Sequence, residues 1–363
     1  MRVGVDARHL RAPAGRGVSR YTRMLLHALA GEFADDEWVA LAPDASGEPV
    51  AGVRLRGRGL PRRALFAAAA LVGRPRLDRL VGGCDVAWVP APAPVAVSPR
   101  VPLVLTVHDL SFEHRPEDYG RYERLWHRLA RPRTLAGRAA RVIAVSDAVR
   151  EQLLGEWALP PERVVTIRSG PGRPPPMGAR PLPDRPSGLP STFFLAAGAL
   201  EPRKQPLLLV EAHRLARADG LEAGLVFAGE GPLRAQLERR GSRVLGRVSD
   251  ALLDDLYRDA LAVACISREE GFGLTPLEAA ARGTPAIVSD LPVFRETLGD
   301  AALRAEAQDP GALAAALLRL EREPDLRARL ASAAADAVGA LSWERAARET
   351  RAVLAEAAVE RVT

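Results

Sequence analysis

Two glutamates, Glu270 and Glu278, stand with seven residues between them in the run Glu270-Gly-Phe-Gly-Leu-Thr-Pro-Leu-Glu278. An apolar stretch, Leu261–Ile266, precedes the run and reads as a strand. A turn containing Gly271 and Gly273 follows, and these glycines let backbone come close to a ligand. The spacing predicts a helix with Thr275 as N-cap and Pro276 at its first position. The first N–H groups of such a helix suit an anion such as a diphosphate. Glu278 lies three residues after Thr275, so the pair also reads as a capping box. Glu270, next to Glu269, reads equally as an ordinary loop carboxylate.

The elements that must hold this segment alternate along the chain. Strand-like runs fall at Arg2–Asp6, Trp38–Leu41, Asp85–Val89, Leu103–Val107, Arg141–Val145 and Val164–Ile167. A second series runs Thr192–Ala197, Leu225–Ala228, Leu261–Ile266 and Pro285–Ser289. Helix-length stretches such as Ser19–Gly31, Tyr119–Ala140 and Leu207–Asp219 separate them. Apolar strands alternating with helices predict an α/β protein with parallel sheets covered on both faces. Residues 171–190 contain eight prolines, so 173–190 is expected to be an extended linker between domains at 1–172 and 191–342. Ligands of such sheets meet the carboxyl ends of the strands, here expected to face a cleft. Residues 309–362 read as helices broken near Pro324 and Gly339–Ser342, with Ser342-Trp343-Glu344 opening the last. That last helix, about 343–363, is expected to pack back on the N-terminal domain.

Composition narrows the class. The 363 residues, 47% hydrophobic, suffice for two globular cores. The longest uncharged apolar run, Ala64–Val72, is well short of the roughly 20 residues that cross a bilayer. The start lacks the charged, apolar and small-residue zones of a secretory signal, and Cys84 and Cys265 read as free thiols, so a cytoplasmic protein is expected. Residues 1–185 carry 29 Arg against 19 acidic residues, and 186–363 carry 22 basic against 26 acidic. The acidic second half and the lack of a basic–aromatic surface argue against nucleic acid. The chain has a single lysine, Lys204, directly after Arg203.

The segment from Glu270 to Glu278, followed by a small-residue helix and Gly283-Thr284-Pro285, resembles the signature of glycosyltransferase family 4. The resemblance extends over most of the chain. It includes Val3-Gly4-Val5-Asp6 with Gly15-Arg16-Gly17, then Thr106-Val107-His108-Asp109 and Ala144-Val145-Ser146. It continues through Gly198-Ala199-Leu200-Glu201-Pro202-Arg203-Lys204, Gly229-Glu230-Gly231 and Leu245-Gly246-Arg247-Val248. It implies the GT-B architecture, two Rossmann-like parallel-sheet domains. It also implies a retaining hexosyltransferase that uses a nucleotide-diphosphate sugar such as a UDP- or GDP-sugar, with no tightly bound cofactor and no metal requirement.

By that resemblance, Glu278 binds the ribose hydroxyls and Glu270 the hydroxyls of the transferred sugar. The backbone of Gly271, Phe272, Gly273, Leu274 and Thr275 faces sugar and phosphates, and Gly229 and Val248 border the base. Arg203 and Lys204 neutralise the diphosphate, a role in which the compact ammonium of a solitary lysine is apt. Some members carry an arginine where this chain has Ala199, so Arg203 and Lys204 bear that task here. His108 hydrogen-bonds the donor sugar, and Gly17 lets the first loop approach donor or acceptor. The other histidines show no metal-ligand spacing.

The acceptor is implied only as a glycan, lipid-linked saccharide or small metabolite. Arg54, Arg56, Arg58, Arg62, Arg63, Arg74, Arg76 and Arg79 surround Ala64–Val72, a pattern that suits either peripheral contact with an anionic membrane or a solvated face. A nucleotide-sugar epimerase, or a non-catalytic nucleotide-sugar binding protein on the same fold, are the alternative readings.

Overall fold

The computed structural model describes residues 1–10, 17–42, 50–57, 62–172, 186–306 and 308–360, with the side chains of residues 62 and 63 excepted. The linker residues 173–185, Gly15, Arg16 and Arg58 lie outside the described residues. The chain divides into two compact units, Met1–Gly170 with Ser342–Thr363, and Pro171–Leu341.

The first unit holds a seven-stranded parallel sheet. Its strands are β1 (Arg2–Asp6), β2 (Glu37–Leu41), β3 (Val53–Arg56), β4 (Val86–Val89), β5 (Leu103–Val107), β6 (Arg141–Ala144) and β7 (Val164–Thr166), in the order β3-β2-β1-β4-β5-β6-β7. The inner strands β4 and β5 are buried at every position, as continuous apolar runs covered on both faces must be. The helix Gly17–Glu32 buries Tyr21, Leu25, Leu26 and Leu29. The last helix, Trp343–Val359, packs on it and buries Trp343, Ala346, Ala347 and Leu354. Ser342 caps that helix by accepting the Arg345 N–H at 3.0 Å. Ion pairs from Arg348 to Glu32 and from Arg351 to Asp36 fasten its exposed side.

The expected single helix over Tyr119–Ala140 is two, Arg121–Ala130 and Pro132–Arg138. Pro132 cannot donate to the preceding turn and disfavours helical backbone before it, so Arg131 turns left-handed at φ +46° and the second helix starts afresh.

The second unit holds a six-stranded parallel sheet. Its strands are β8 (Phe193–Ala197), β9 (Gly224–Ala228), β10 (Arg243–Val244), β11 (Ala262–Cys265), β12 (Ala286–Ser289) and β13 (Ala302–Ala305), in the order β10-β9-β8-β11-β12-β13. Phe193 and Leu195 face one core cluster with Val226, Val263 and Tyr257. Phe194 faces the other with Leu209, Phe227, Leu313 and Leu317. The helices Pro310–Arg322 and Pro324–Gly339 meet at Pro324, where the chain breaks as expected. Among the described residues no helix is long and apolar enough to cross a membrane.

In both sheets the chain builds outward in one direction and then crosses to build the other way. The crossing falls between β1 and β4 in the first unit and between β8 and β11 in the second. Loops leaving adjacent strands diverge there, which opens room at the carboxyl ends for a ligand.

Candidate functional site

The loop after β8 carries Arg203 and Lys204 in a short 3-10 turn, Pro202–Lys204, before the helix Pro206–Ala218. The loop after β11 carries Glu270. These two loops flank the crossing point of the second sheet and are tied by the Arg268 N–H donating to the Arg203 carbonyl at 2.9 Å. Lys204 Nζ donates to the Glu270 carboxylate, their side chains 24% and 16% exposed. Ser267, buried where β11 ends, adds its hydroxyl to the same carboxylate oxygen at 3.3 Å. Arg203 turns to Glu201, with Nε donating at 3.2 Å. The structure thus brings Lys204 and Glu270 together as one charged centre, and holds Arg203 two residues from its own carboxylate partner.

Gly229 shows why a glycine stands after β9. A Cβ there would lie 1.7 Å from the Gly198 carbonyl oxygen, so the loops after β8 and β9 can touch only without one. The same contact is secured by the Gly198 N–H bonding to Ala228 and the Leu200 N–H to Glu230. Val248, half-buried, packs against the core cluster that contains Tyr257.

The helix of the signature starts earlier than its spacing predicts. It spans Leu274–Ala280, and Gly273 at φ +87° is its N-cap, so Thr275 does not cap it. No side chain caps this end, and the expected capping box between Thr275 and Glu278 is not formed. Glycine in the left-handed region lets the backbone swing directly from the turn into the helix, which removes the position that Thr275 would have capped. The Glu278 carboxylate instead accepts the Tyr257 hydroxyl at 3.0 Å and is 2% exposed. Phe272 is buried, and Gly271 and Gly273 beside it are buried too, while Leu274 and Thr275 are half-buried.

Two features of this region had no signal in the sequence. Arg282 and Asp254 form a buried ion pair, their side chains 1% and 2% exposed. Arg282 also donates to the Glu278 carbonyl at 2.7 Å. Tyr257 sits on the amphipathic helix Asp250–Asp259 and reads in sequence as one more core aromatic.

His108 and Gly17 belong to the first unit. His108 stands one residue past β5, and its Nε2–H donates to the Pro90 carbonyl, beside the end of β4, at 2.8 Å. Tyr21 packs edge-on at 4.7 Å, and Trp343 stands 5.9 Å behind Tyr21, so the last helix backs the histidine through the first. Burial lowers the His108 pKa and keeps the imidazole neutral, despite the Pro90 bond and the Asp109 charge pulling the other way. With Nε2 carrying the proton, Nδ1 is an acceptor. Gly17 opens the first helix, and a Cβ there would meet no atom of the described residues within 4 Å. At the end of β1, Asp6 accepts two bonds from Arg8 at 2.7 Å, both residues nearly fully buried.

Known proteins agree with this architecture. Residues 184–337 match the family model of glycosyl transferases group 1, and residues 15–170 match that of glycosyltransferase family 4. A D-inositol 3-phosphate glycosyltransferase of Frankia alni is 32% identical over 298 residues, covering 72% of this chain and 70% of that protein. The O-antigen chain mannosyltransferase B of Escherichia coli is 29% identical over 272 residues, 68% of each. Among solved structures, sucrose-phosphate synthase from Thermosynechococcus elongatus matches at a TM-score of 0.72 over 98% of both chains with 18% identity. Anabaena HepE in complex with UDP and glucose matches at 0.71 over 98% of this chain and 99% of its own, with 20% identity. Both likenesses are of fold, and that fold is GT-B, built of two Rossmann-like parallel-sheet domains. With both halves of the sequence matched and a relative this similar over most of its length, the chain belongs to the group 1 glycosyl transferases of glycosyltransferase family 4 and is a glycosyltransferase.

Proposed function

We propose that the chain is a retaining hexosyltransferase that takes its sugar from a UDP- or GDP-sugar and gives it to a hydroxyl of a glycan, lipid-linked saccharide or small metabolite. The observation that carries this reading is the Lys204–Glu270 pair at the crossing point of the second sheet. The relatives' names add support, since they include a glycosyltransferase acting on an inositol phosphate and a mannosyltransferase.

In this reading the donor diphosphate takes the place of Glu270 beside Lys204, and Arg203 supplies the second cation. The freed Glu270 accepts hydroxyls of the transferred sugar. Glu278 accepts the ribose hydroxyls, and Gly229 and Val248 border the base. The backbone of Gly271, Phe272, Gly273, Leu274 and Thr275 faces sugar and phosphates. The neutral His108 accepts a sugar hydroxyl at Nδ1, and Gly17 leaves room for donor or acceptor. The acceptor oxygen bonds to the anomeric carbon on the face from which the diphosphate departs. The bond from that carbon to the phosphate oxygen breaks, and the acceptor proton passes to a phosphate oxygen. Charge on the leaving group grows as the bond breaks, so cations fixed beside it lower the barrier. Holding the acceptor hydroxyl beside the departing phosphate on that one face supplies most of the rest. No covalent glycosyl-enzyme forms, and trapping one during turnover would overturn the mechanism.

The test is a thermal-shift panel of UDP-, GDP-, ADP- and dTDP-sugars, with and without EDTA. One nucleotide sugar should raise the melting temperature, and EDTA should leave the shift in place. No response to any of them would overturn the donor assignment. For the acceptor side, the helix Arg62–Val72 leaves Leu71 and Val72 76% and 70% exposed, beside Arg74 and Arg79, which favours contact with an anionic membrane from the cytoplasmic side. Arg54 is drawn to Glu37 at 2.6 Å and Arg79 to Asp78 at 3.8 Å, which weakens the patch's field. Co-sedimentation with anionic liposomes at low salt tests the contact, and its absence would remove it.

A further inference from the structure

A glutamate can accept two vicinal hydroxyls only if the plane of its carboxylate is fixed, and the last torsion of a glutamate is intrinsically broad. At Glu278 two neighbours do the fixing. On one side stands Tyr257, whose hydroxyl bonds Oε2 at 3.0 Å. Tyr257 cannot swing away. Its ring is 1% exposed among Phe193, Leu195 and Val226. Its carbonyl accepts the Thr284 hydroxyl at 2.5 Å, and the Arg282 guanidinium lies 5.4 Å from its ring centre. Arg282 in turn holds the Glu278 carbonyl, so the backbone and the carboxylate of one residue are secured from the same frame.

On the other side the chain passes directly over the glutamate. Gly172 has φ +78°, and a Cβ there would lie 2.2 Å from Glu278 Cγ and 2.6 Å from Oε1. Any side chain at 172 would force Glu278 out of the orientation that Tyr257 holds.

We propose that Tyr257 and Gly172 are positioning residues that set the direction in which Glu278 presents its carboxylate to the ribose hydroxyls of the donor nucleotide. This rests on the assignment of Glu278 to the ribose made above. Neither residue touches the reacting atoms. Their loss therefore weakens recognition of the ribose and leaves the chemistry intact.

The test compares UDP with 2′-deoxy-UDP, and GDP with 2′-deoxy-GDP, by titration calorimetry on the full chain. The wild-type chain should prefer the ribose form of the nucleotide it binds. Tyr257→Phe removes one hydrogen bond to a charged group, so the preference should fall about tenfold. Gly172→Ala should lower it as well, because its Cβ displaces Glu278 while the Tyr257 side chain is kept, and this second route keeps the test decisive if Tyr257→Phe folds poorly. Adding Tyr257→Phe to Glu278→Gln should change nothing further, because both act through one carboxylate. A merely structural role for Tyr257 would weaken the ribose and deoxyribose forms equally and leave their ratio alone. If Glu278→Gln loses the preference while Tyr257→Phe and Gly172→Ala keep it, the positioning role is overturned and the ribose assignment stands. If Glu278→Gln keeps the preference, or the chain binds none of these nucleotides, the assignment of Glu278 falls and the positioning role falls with it.

Discussion

Lys204→Ala separates the charge chemistry of the site from its contribution to the fold. The Lys204 and Glu270 side chains are 24% and 16% exposed, between a surface pair and a buried one. Removing the ammonium leaves Glu270 with the Ser267 hydroxyl and access to water. The stability lost is therefore about 1 kcal/mol, near the upper end for an exposed pair and far below a buried one. In a domain of this size that lowers the melting temperature by about 3 °C. The cost to the reaction is of another order. A fixed charge aimed at the departing group is worth about a hundredfold to a thousandfold in rate, or roughly 3–4 kcal/mol. Turnover should therefore fall at least about a hundredfold while the thermal transition barely moves. Lys204→Arg should fall in between, because a planar guanidinium keeps the charge and loses the compact reach of the ammonium. The assay is sugar release from the donor chosen by the thermal-shift panel, read beside calorimetric unfolding of each variant. A Lys204→Ala chain that turns over within about threefold of wild type, with its fold intact, would refute the role of this lysine.

Three further outcomes are expected. Arg282→Met should strand the buried Asp254 carboxylate and cost about 3–5 kcal/mol in urea unfolding, and replacing both residues with apolar ones should cost less than the single change. Burial alone would raise the Asp6 carboxyl, but the Arg8 guanidinium bonded to both of its oxygens more than offsets this and holds its pKa below the ordinary value. A lowered folded pKa stabilises at neutral pH, and that stability is lost as pH falls below about 4. Asp6→Asn should therefore show a shallower loss of stability on acidification than wild type. Burial, helped by the Asp78 charge, pushes the Cys84 thiol up to about 12, and burial pushes Cys265 up to about 11, so at pH 8 both should react slowly with a disulfide reagent until denaturant exposes them. Rapid reaction of Cys265 in the native chain would contradict its burial.

The inner strands of both sheets were legible in the sequence because they are continuous apolar runs. The strands that the pattern did not announce are β3, β10 and β13, and each is an edge of its sheet. An edge strand is covered less, so its sequence need not be apolar throughout. Val53-Arg-Leu-Arg56 alternates, half-buried and exposed, and β10 is two residues long. At the site, the charged residues were legible through a local signature, but their partners were not. Tyr257 reaches Glu278 from another helix, and Asp254 reaches Arg282 across 28 positions. Such contacts are made by the fold, and neither periodicity nor short-range spacing encodes them. The missing Thr275 cap has a local cause: a glycine that takes a left-handed turn moves the helix start by two residues.

The last helix gives the first unit a particular history in time. Its core includes Trp343, Ala346 and Leu354, which follow every residue of the second unit in the chain. During synthesis the second unit has all its strands and helices available while the first still lacks the helix that packs on Gly17–Glu32 and sets Trp343 against Tyr21. The half that begins first is therefore completed last, and a ribosome that stalls before residue 343 leaves behind a first unit with an uncovered apolar face.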